Sequence, residues 1–222
     1  MKSIVILISG RGSNMEAIVN ASLPLEIRAV ISNRPDANGL AFATAKGIKA
    51  ITVDHKVFSS REDFDAALAQ QIDTCSPDYI VLAGFMRILS DTFIARYAGR
   101  IVNIHPSLLP SFPGLHTHRQ ALAAGVKLHG ATIHLVTPRL DHGPIIAQAA
   151  VPVFGNDTEE SLGARVLAQE HRLYPAALKW LAGDRLELMP GGIVKLEGED
   201  SSPESRTMSL CQPDLQDGSR AG

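Results

Sequence analysis

"SIVILISGRGSNMEAIVNA", residues 3–21, decides the fold. The apolar run Ile4–Ile8 shows no in–out alternation, as expected of a strand in a parallel sheet covered on both faces. Gly10 and Gly12 break the run, and residues 14–21 continue with a helical pattern. Strand, glycine turn and helix make the first half of a βαβ unit. Four more Ile/Val/Leu-rich runs follow at 26–32, 50–53, 79–83 and 101–104, with helical patterns at 37–46 and 60–74 between them. The second of these helices opens with Ser60 and Asp63 in a capping-box arrangement. Its Phe64, Ala67, Leu68, Gln71 and Ile72 fall mostly on one apolar face. This alternation predicts right-handed crossovers and an open doubly wound α/β sheet.

Beyond residue 125 the pattern changes. "ATIHLV" (131–136) and "PIIAQAAVPV" (144–153) are joined by a loop without a helix, which predicts antiparallel pairing at the end of a Rossmann-like, mostly parallel sheet. A long C-terminal helix is expected from Thr158 to Leu181, with Asp157 or Thr158 as N-cap and a kink at Pro175. A hairpin is expected over 185–196 around Pro190-Gly191-Gly192. From Glu197 the residues are Ser, Pro, Asp, Glu and Gly with few large apolar side chains, so 197–222 reads as a disordered tail. The expected organisation is one domain over 1–196, with 1–100 as a phosphate-binding half and 101–196 as a catalytic half.

Composition excludes several classes. The 222 residues are 45% hydrophobic with a net charge of −2, enough for a large core and without a basic field for nucleic acid or anionic lipid. The N-terminal "IVILI" is too short for a signal-peptide core, and no apolar run reaches the ~20 residues of a membrane span. Cys75 and Cys211 are far apart in sequence and form no metal or redox pattern, which suits a cytoplasmic protein.

"IVNIHPSLLPSFPG", residues 101–114, poses the functional question. Asn103 and His105 interrupt an apolar strand two residues apart, so they share one face at its carboxyl end, where open α/β sheets bind ligands. Pro106 ends the strand directly afterwards. An amide beside an imidazole supplies a donor for a developing oxyanion and a proton shuttle near neutral pH. The plain alternative is a polar strand end that satisfies loop carbonyls.

Two other strand ends add to this. "SGRGSN", Ser9–Asn14, couples flexible glycines to a helix N-terminus, a phosphate site in design. The alternative is a Gly-rich turn with Ser13 as N-cap. A dinucleotide fingerprint is not met, because Met15 occupies its third glycine position. "SNRP" after the second strand lacks the acid that would meet a ribose hydroxyl, although Arg34 suits a 2′-phosphate, which keeps a nucleotide-dependent oxidoreductase open. In "LDHGPI", residues 140–145, Asp141 would orient the His105 ring and pair with its charged form if its loop folded back. Otherwise it is a turn aspartate bonded to its own backbone. His116 and His118 lack further ligands at useful spacing, so no metal is expected. His134 reads as a half-buried strand residue, and His55, His129 and His171 carry no local pattern. Arg87 suits an anionic group or a surface ion pair.

Together "ISGRGSN", "VLAGFMRIL", "NIHPSLLPSFPGLHTHRQAL" and "LDHGPII" resemble, in order and approximate spacing over residues 1–190, the glycinamide ribonucleotide formyltransferase family. The resemblance implies formyl transfer from 10-formyltetrahydrofolate to phosphoribosylglycinamide in purine biosynthesis, with neither metal nor covalent acyl-enzyme. It implies catalytic roles for Asn103, His105 and Asp141, and a substrate site at Gly12, Ser13, Asn14 and Glu170. It also implies a folate site at Arg61, Met86, Arg87, Ile88, Leu89 and Asn103, and the 101–196 half is expected to be the catalytic and folate half. A homodimer is compatible with it. His142 departs from the family pattern, which often has glycine there. Methionyl-tRNA formyltransferase and formyltetrahydrofolate hydrolase share parts of this pattern. The former is expected to carry a further basic RNA-binding domain, the latter an N-terminal regulatory domain. A silent phosphoribosyl-binding module would keep "SGRGSN" without the Asn103/His105/Asp141 set.

Overall fold

The computed structural model describes residues 1–198. In chain order the elements are β1 (Lys2–Ile8), α1 (Ser13–Asn20), β2 (Leu25–Ser32), α2 (Asn38–Ala45) and β3 (Ala50–Thr52). There follow α3 (Arg61–Cys75), β4 (Tyr79–Leu82), α4 (Asp91–Arg96), β5 (Ile101–His105) and α5 (Thr117–Ala124). The chain continues with β6 (Leu128–Leu135), β7 (Ile145–Pro152), α6 (Glu159–Ala182), β8 (Leu186–Met189) and β9 (Ile193–Leu196). Seven strands form one sheet in the order β3-β2-β1-β4-β5-β6-β7. The first five are parallel, while β6 and β7 pair antiparallel. The expected doubly wound sheet, its antiparallel extension and the long helix are all present.

Alternate residues of the unbroken apolar strands feed two cores. Ile4, Ile6, Ile8, Val30, Val81 and Val102 pack under α1, α2 and α6, with Tyr174 and Leu178 among the helical contributors. Val5, Leu7, Ile31, Ile80 and Ile101 pack under α3 and α4, against Phe64, Leu68 and Phe93. Burial on both faces explains why these strands show no alternation. The chain leaves β1 in one direction through β2 and β3, then returns to place β4 on its other side. The crevice between the β1 and β4 carboxyl ends is thus the topological switch point.

Several local expectations are revised. The N-cap of α1 is Gly12, at φ 76°, not Ser13, which is already helical. Of the two candidates for α6, Thr158 is the cap, its hydroxyl accepting from Ser161 N while Ser161 Oγ accepts from Thr158 N. Pro175 lies inside α6, as the expected helix has it, and the helix ends at Ala182. Two short helices, α4 and α5, lacked a readable period. The expected tail lies outside the described residues except for Glu197 and Gly198. Glu197 is tied to Arg185, donating from its N–H and accepting from the guanidinium.

Candidate active site

β5 carries Asn103 and His105 on the α3/α4 side of its carboxyl end, as their spacing predicts. Antiparallel pairing sets Asn103 opposite His134 and His105 opposite Thr132. The loop 137–144 folds back over this end. Asp141 adopts a left-handed backbone at φ 52°, which aspartate tolerates better than most residues. Its side chain is only 8% exposed, with Oδ2 3.5 Å from His105 Nδ1 and accepting from Gly114 N–H at 2.8 Å. The turn-aspartate alternative does not describe this geometry.

His105 is held at both ring nitrogens, with Nε2 donating to Phe112 O at 3.0 Å and Nδ1 facing Asp141. The loop supplying Phe112 is anchored to the sheet. Thr132 Oγ1 donates to Ser107 O and accepts from Leu109 N–H, and Gln148 Nε2 donates to Leu109 O. Thr117 Oγ1 donates to Pro106 O. Three prolines within this loop reduce the backbone freedom lost on ordering it.

His134 joins this cluster, which local reading missed. It is buried, not half-buried, and its Nδ1 donates to Leu135 O at 2.9 Å. That leaves Nε2 as an acceptor for Asn103 Nδ2–H at 3.2 Å. Burial lowers the His134 pKa, which keeps the ring neutral for this role. Nε2 also lies 3.9 Å from Asp141 Oδ1. One N–H of the Asn103 amide is thereby fixed and the other left for a ligand. The signal was the cross-strand register, which spacing along one strand does not provide.

A cavity of about 530 Å³ opens at the switch point. Gly12, Ser13 and Asn14 line one wall, and Arg34, His55, Met86 and Arg87 line others. The first-turn N–H groups of α1 have no intrahelical acceptor, so this wall is electropositive. Glu170, from α6, reaches the same wall and accepts from Asn14 Nδ2 at 2.7 Å. Burial raises its pKa, against the lowering effect of that hydrogen bond. Asn14 Oδ1 is buried without a protein partner among the described residues.

The other expected residues are placed unevenly. Met86 N donates to Ser9 Oγ, which ties the 86–89 run to the end of β1. Met86 and Ile88 are exposed, whereas the Leu89 side chain belongs to the α3/α4 core and leaves only its backbone to a ligand. Arg87 lies over the Phe64 ring at 5.0 Å, with Nε buried and unpartnered among the described residues. Arg61 is exposed at the start of α3, beside Glu62, and does not line the cavity. Arg34 is committed to Asp36 through Nε–Oδ1 and Nη2–Oδ2 contacts of 3.0 and 2.6 Å, which removes the support for a 2′-phosphate site. His118 and His129 pair with each other at 3.1 Å.

Comparison with known proteins shows the family. Residues 2–178 match the family described as formyl transferase. The chain is 50% identical over 206 residues to a phosphoribosylglycinamide formyltransferase of Escherichia coli K12, covering 91% of this chain and 97% of that protein. Among solved structures, glycinamide ribonucleotide transformylase 1 from Symbiobacterium toebii has a TM-score of 0.86 at 46% identity, covering 89% of this chain and 94% of that one. A phosphoribosylglycinamide formyltransferase from Coxiella burnetii has a TM-score of 0.84 at 49% identity, covering 89% and 94%.

Proposed function

The chain belongs to the formyl transferase family, and from that premise we propose how its strand ends carry out the reaction. The enzyme transfers the formyl group of 10-formyltetrahydrofolate to the amine of phosphoribosylglycinamide in purine biosynthesis. The observation that supports the assignment of roles is the cluster of half-buried Asn103 with buried His105 and His134 and the enclosed Asp141 carboxylate.

The substrate phosphate rests on the Gly12–Asn14 turn, and Glu170 with Asn14 meets the glycinamide portion. The folate lies along Met86–Leu89 and Asn103, with Arg61 toward its acidic end. The site is thus assembled from strand ends, and two of its folate segments belong to the first hundred residues. The amine nitrogen attacks the formyl carbon, a C–N bond forms and the carbonyl electrons move to oxygen. Asn103 donates its free N–H to that oxyanion. His105, its Nδ1 side facing Asp141, donates Nε2–H to it in place of Phe112 O. One oxyanion donor is worth about 3 kcal/mol. The intermediate collapses as the bond from the formyl carbon to the folate nitrogen breaks. The proton lost by the attacking amine goes to that nitrogen, relayed by His105.

No helix among the described residues is long and apolar enough to cross a membrane. A cytoplasmic location belongs to this reading, as does a homodimer, which sedimentation analysis tests. The function itself is tested by following tetrahydrofolate release from 10-formyltetrahydrofolate spectroscopically. Release should depend on phosphoribosylglycinamide. The same rate without it would make the protein a hydrolase.

A further inference from the structure

The phosphate-binding turn is shaped from behind by a helix that does not reach the ligand. α2 begins at Asn38 with Ala37 as N-cap and has no side-chain cap among the described residues. One of its first-turn N–H groups, that of Gly39, donates instead to Gly10 O at 3.2 Å. In a planar trans peptide the carbonyl and the following N–H point opposite ways. With Gly10 O aimed at α2, the Arg11 N–H is turned away from it.

Space around Gly39 is equally constrained. A Cβ there would stand 2.6 Å from Ile8 Cδ1, 3.1 Å from Arg11 O and 3.1 Å from Met15 Cε. Ile8 and Met15 are fully buried, and Arg11 O is backbone of the turn itself. A Cβ at Gly12 would in turn lie 3.5 Å from Gly39 Cα. Gly39 does not occupy the left-handed region, so its backbone suits any residue. Glycine is about 1 kcal/mol less favourable than alanine inside a helix. Close approach to the turn, not conformation, therefore explains glycine at this position.

We propose that Gly39 is a positioning residue for the substrate phosphate: α2, through Gly39, sets the path of the Gly10–Gly12 turn. This rests on the reading of Gly12–Asn14 as the phosphate site. An added methyl group displaces Arg11 O by a few tenths of an ångström and carries the turn's N–H groups with it. Phosphate affinity then depends on a residue that touches no ligand.

The test is steady-state kinetics in both substrates for Gly39→Ala, Ile8→Val/Gly39→Ala and Ser13→Asp. Gly39→Ala should raise KM for phosphoribosylglycinamide about tenfold, with kcat and the folate KM nearly unchanged. A purely structural role would lower kcat through loss of folded enzyme and leave KM unmoved, which would overturn the proposal. The double variant removes Cδ1 of Ile8, relieves the closest contact and protects folding, but leaves Arg11 O crowded. Its KM should stay raised, and a return to the wild-type value would assign the effect to core crowding and overturn the proposal. Ser13→Asp sets a carboxylate against the phosphate and should raise the same KM. If it does not, the phosphate reading falls and takes the proposal with it. If it does while Gly39→Ala leaves KM unchanged, only the proposal falls.

Discussion

Glu170 is buried at the substrate wall with Asn14 as its hydrogen-bond partner, and burial raises its pKa. A carboxyl whose folded pKa exceeds its unfolded value destabilises the native state once pH passes the ordinary carboxylate range. Glu170→Gln keeps an acceptor for Asn14 and removes the charge. Its melting temperature should exceed that of wild type near pH 8, and the difference should shrink as pH falls and Glu170 takes up its proton. KM for phosphoribosylglycinamide should rise in the same variant. A less stable variant at neutral pH would show that the carboxylate is satisfied in a way the geometry does not reveal. Asn103 and His105 were legible because a strand has a period of two and proline marks its end. His134 was not, since its role comes from standing opposite Asn103 in an antiparallel pair.

At the scale of elements, α5 is held to β6 by His118 and His129, with the Phe112 ring packed edge-on against His129. Burial, followed by the charges of His118 and His105, lowers the His129 pKa to about 4. Burial lowers that of His118 also, while Glu159 opposes the change. Between the ordinary histidine range and about 4 the unfolded chain binds a proton that folded His129 refuses, so stability falls as pH falls through that window. His129→Gln should flatten this dependence: its melting temperature should drop less than that of wild type between about pH 6.5 and 4.5. Parallel slopes would place the acid sensitivity elsewhere. Strands β1 to β5 and helices α3 and α6 were legible from continuous apolar runs and caps. α4 spans six residues, too few turns for a period to stand out, and α5 follows a proline-rich loop with no side-chain cap among the described residues to mark its start. β6 begins before its expected start because Gly130 within it reads as a break.

Over the whole molecule, α6 and the sheet meet at Tyr174, fully buried, with its hydroxyl 3.0 Å from both Leu82 O and Val102 O. One proton serves two carbonyls on adjacent strands, directly before the residues that form the site. Tyr174→Phe removes that donor in a dry core and should cost about 1–3 kcal/mol, a fall of a few degrees in melting temperature. The rate per folded molecule should change little, because Asn103 and His105 keep their own partners. Unchanged stability would mean that water or a rearranged strand replaces the hydroxyl. The doubly wound topology was legible from the alternation of elements, and so was the use of strand ends. The return of the 137–144 loop over β5 was not, since its evident local signals, Gly143 and Pro144, mark a turn without giving its direction.

That return of Asp141 onto His105 is what the account most depends on, and one measurement addresses it directly. Single-turnover formyl transfer, with both substrates saturating, compares wild type with Asp141→Asn. The substitution keeps the shape and an acceptor for Gly114 N–H while removing the charge beside His105. The account predicts a fall of about 10²–10⁴-fold in the chemical step, with folding intact. A single-turnover rate within a few-fold of wild type would contradict it and return Asp141 to an ordinary turn residue.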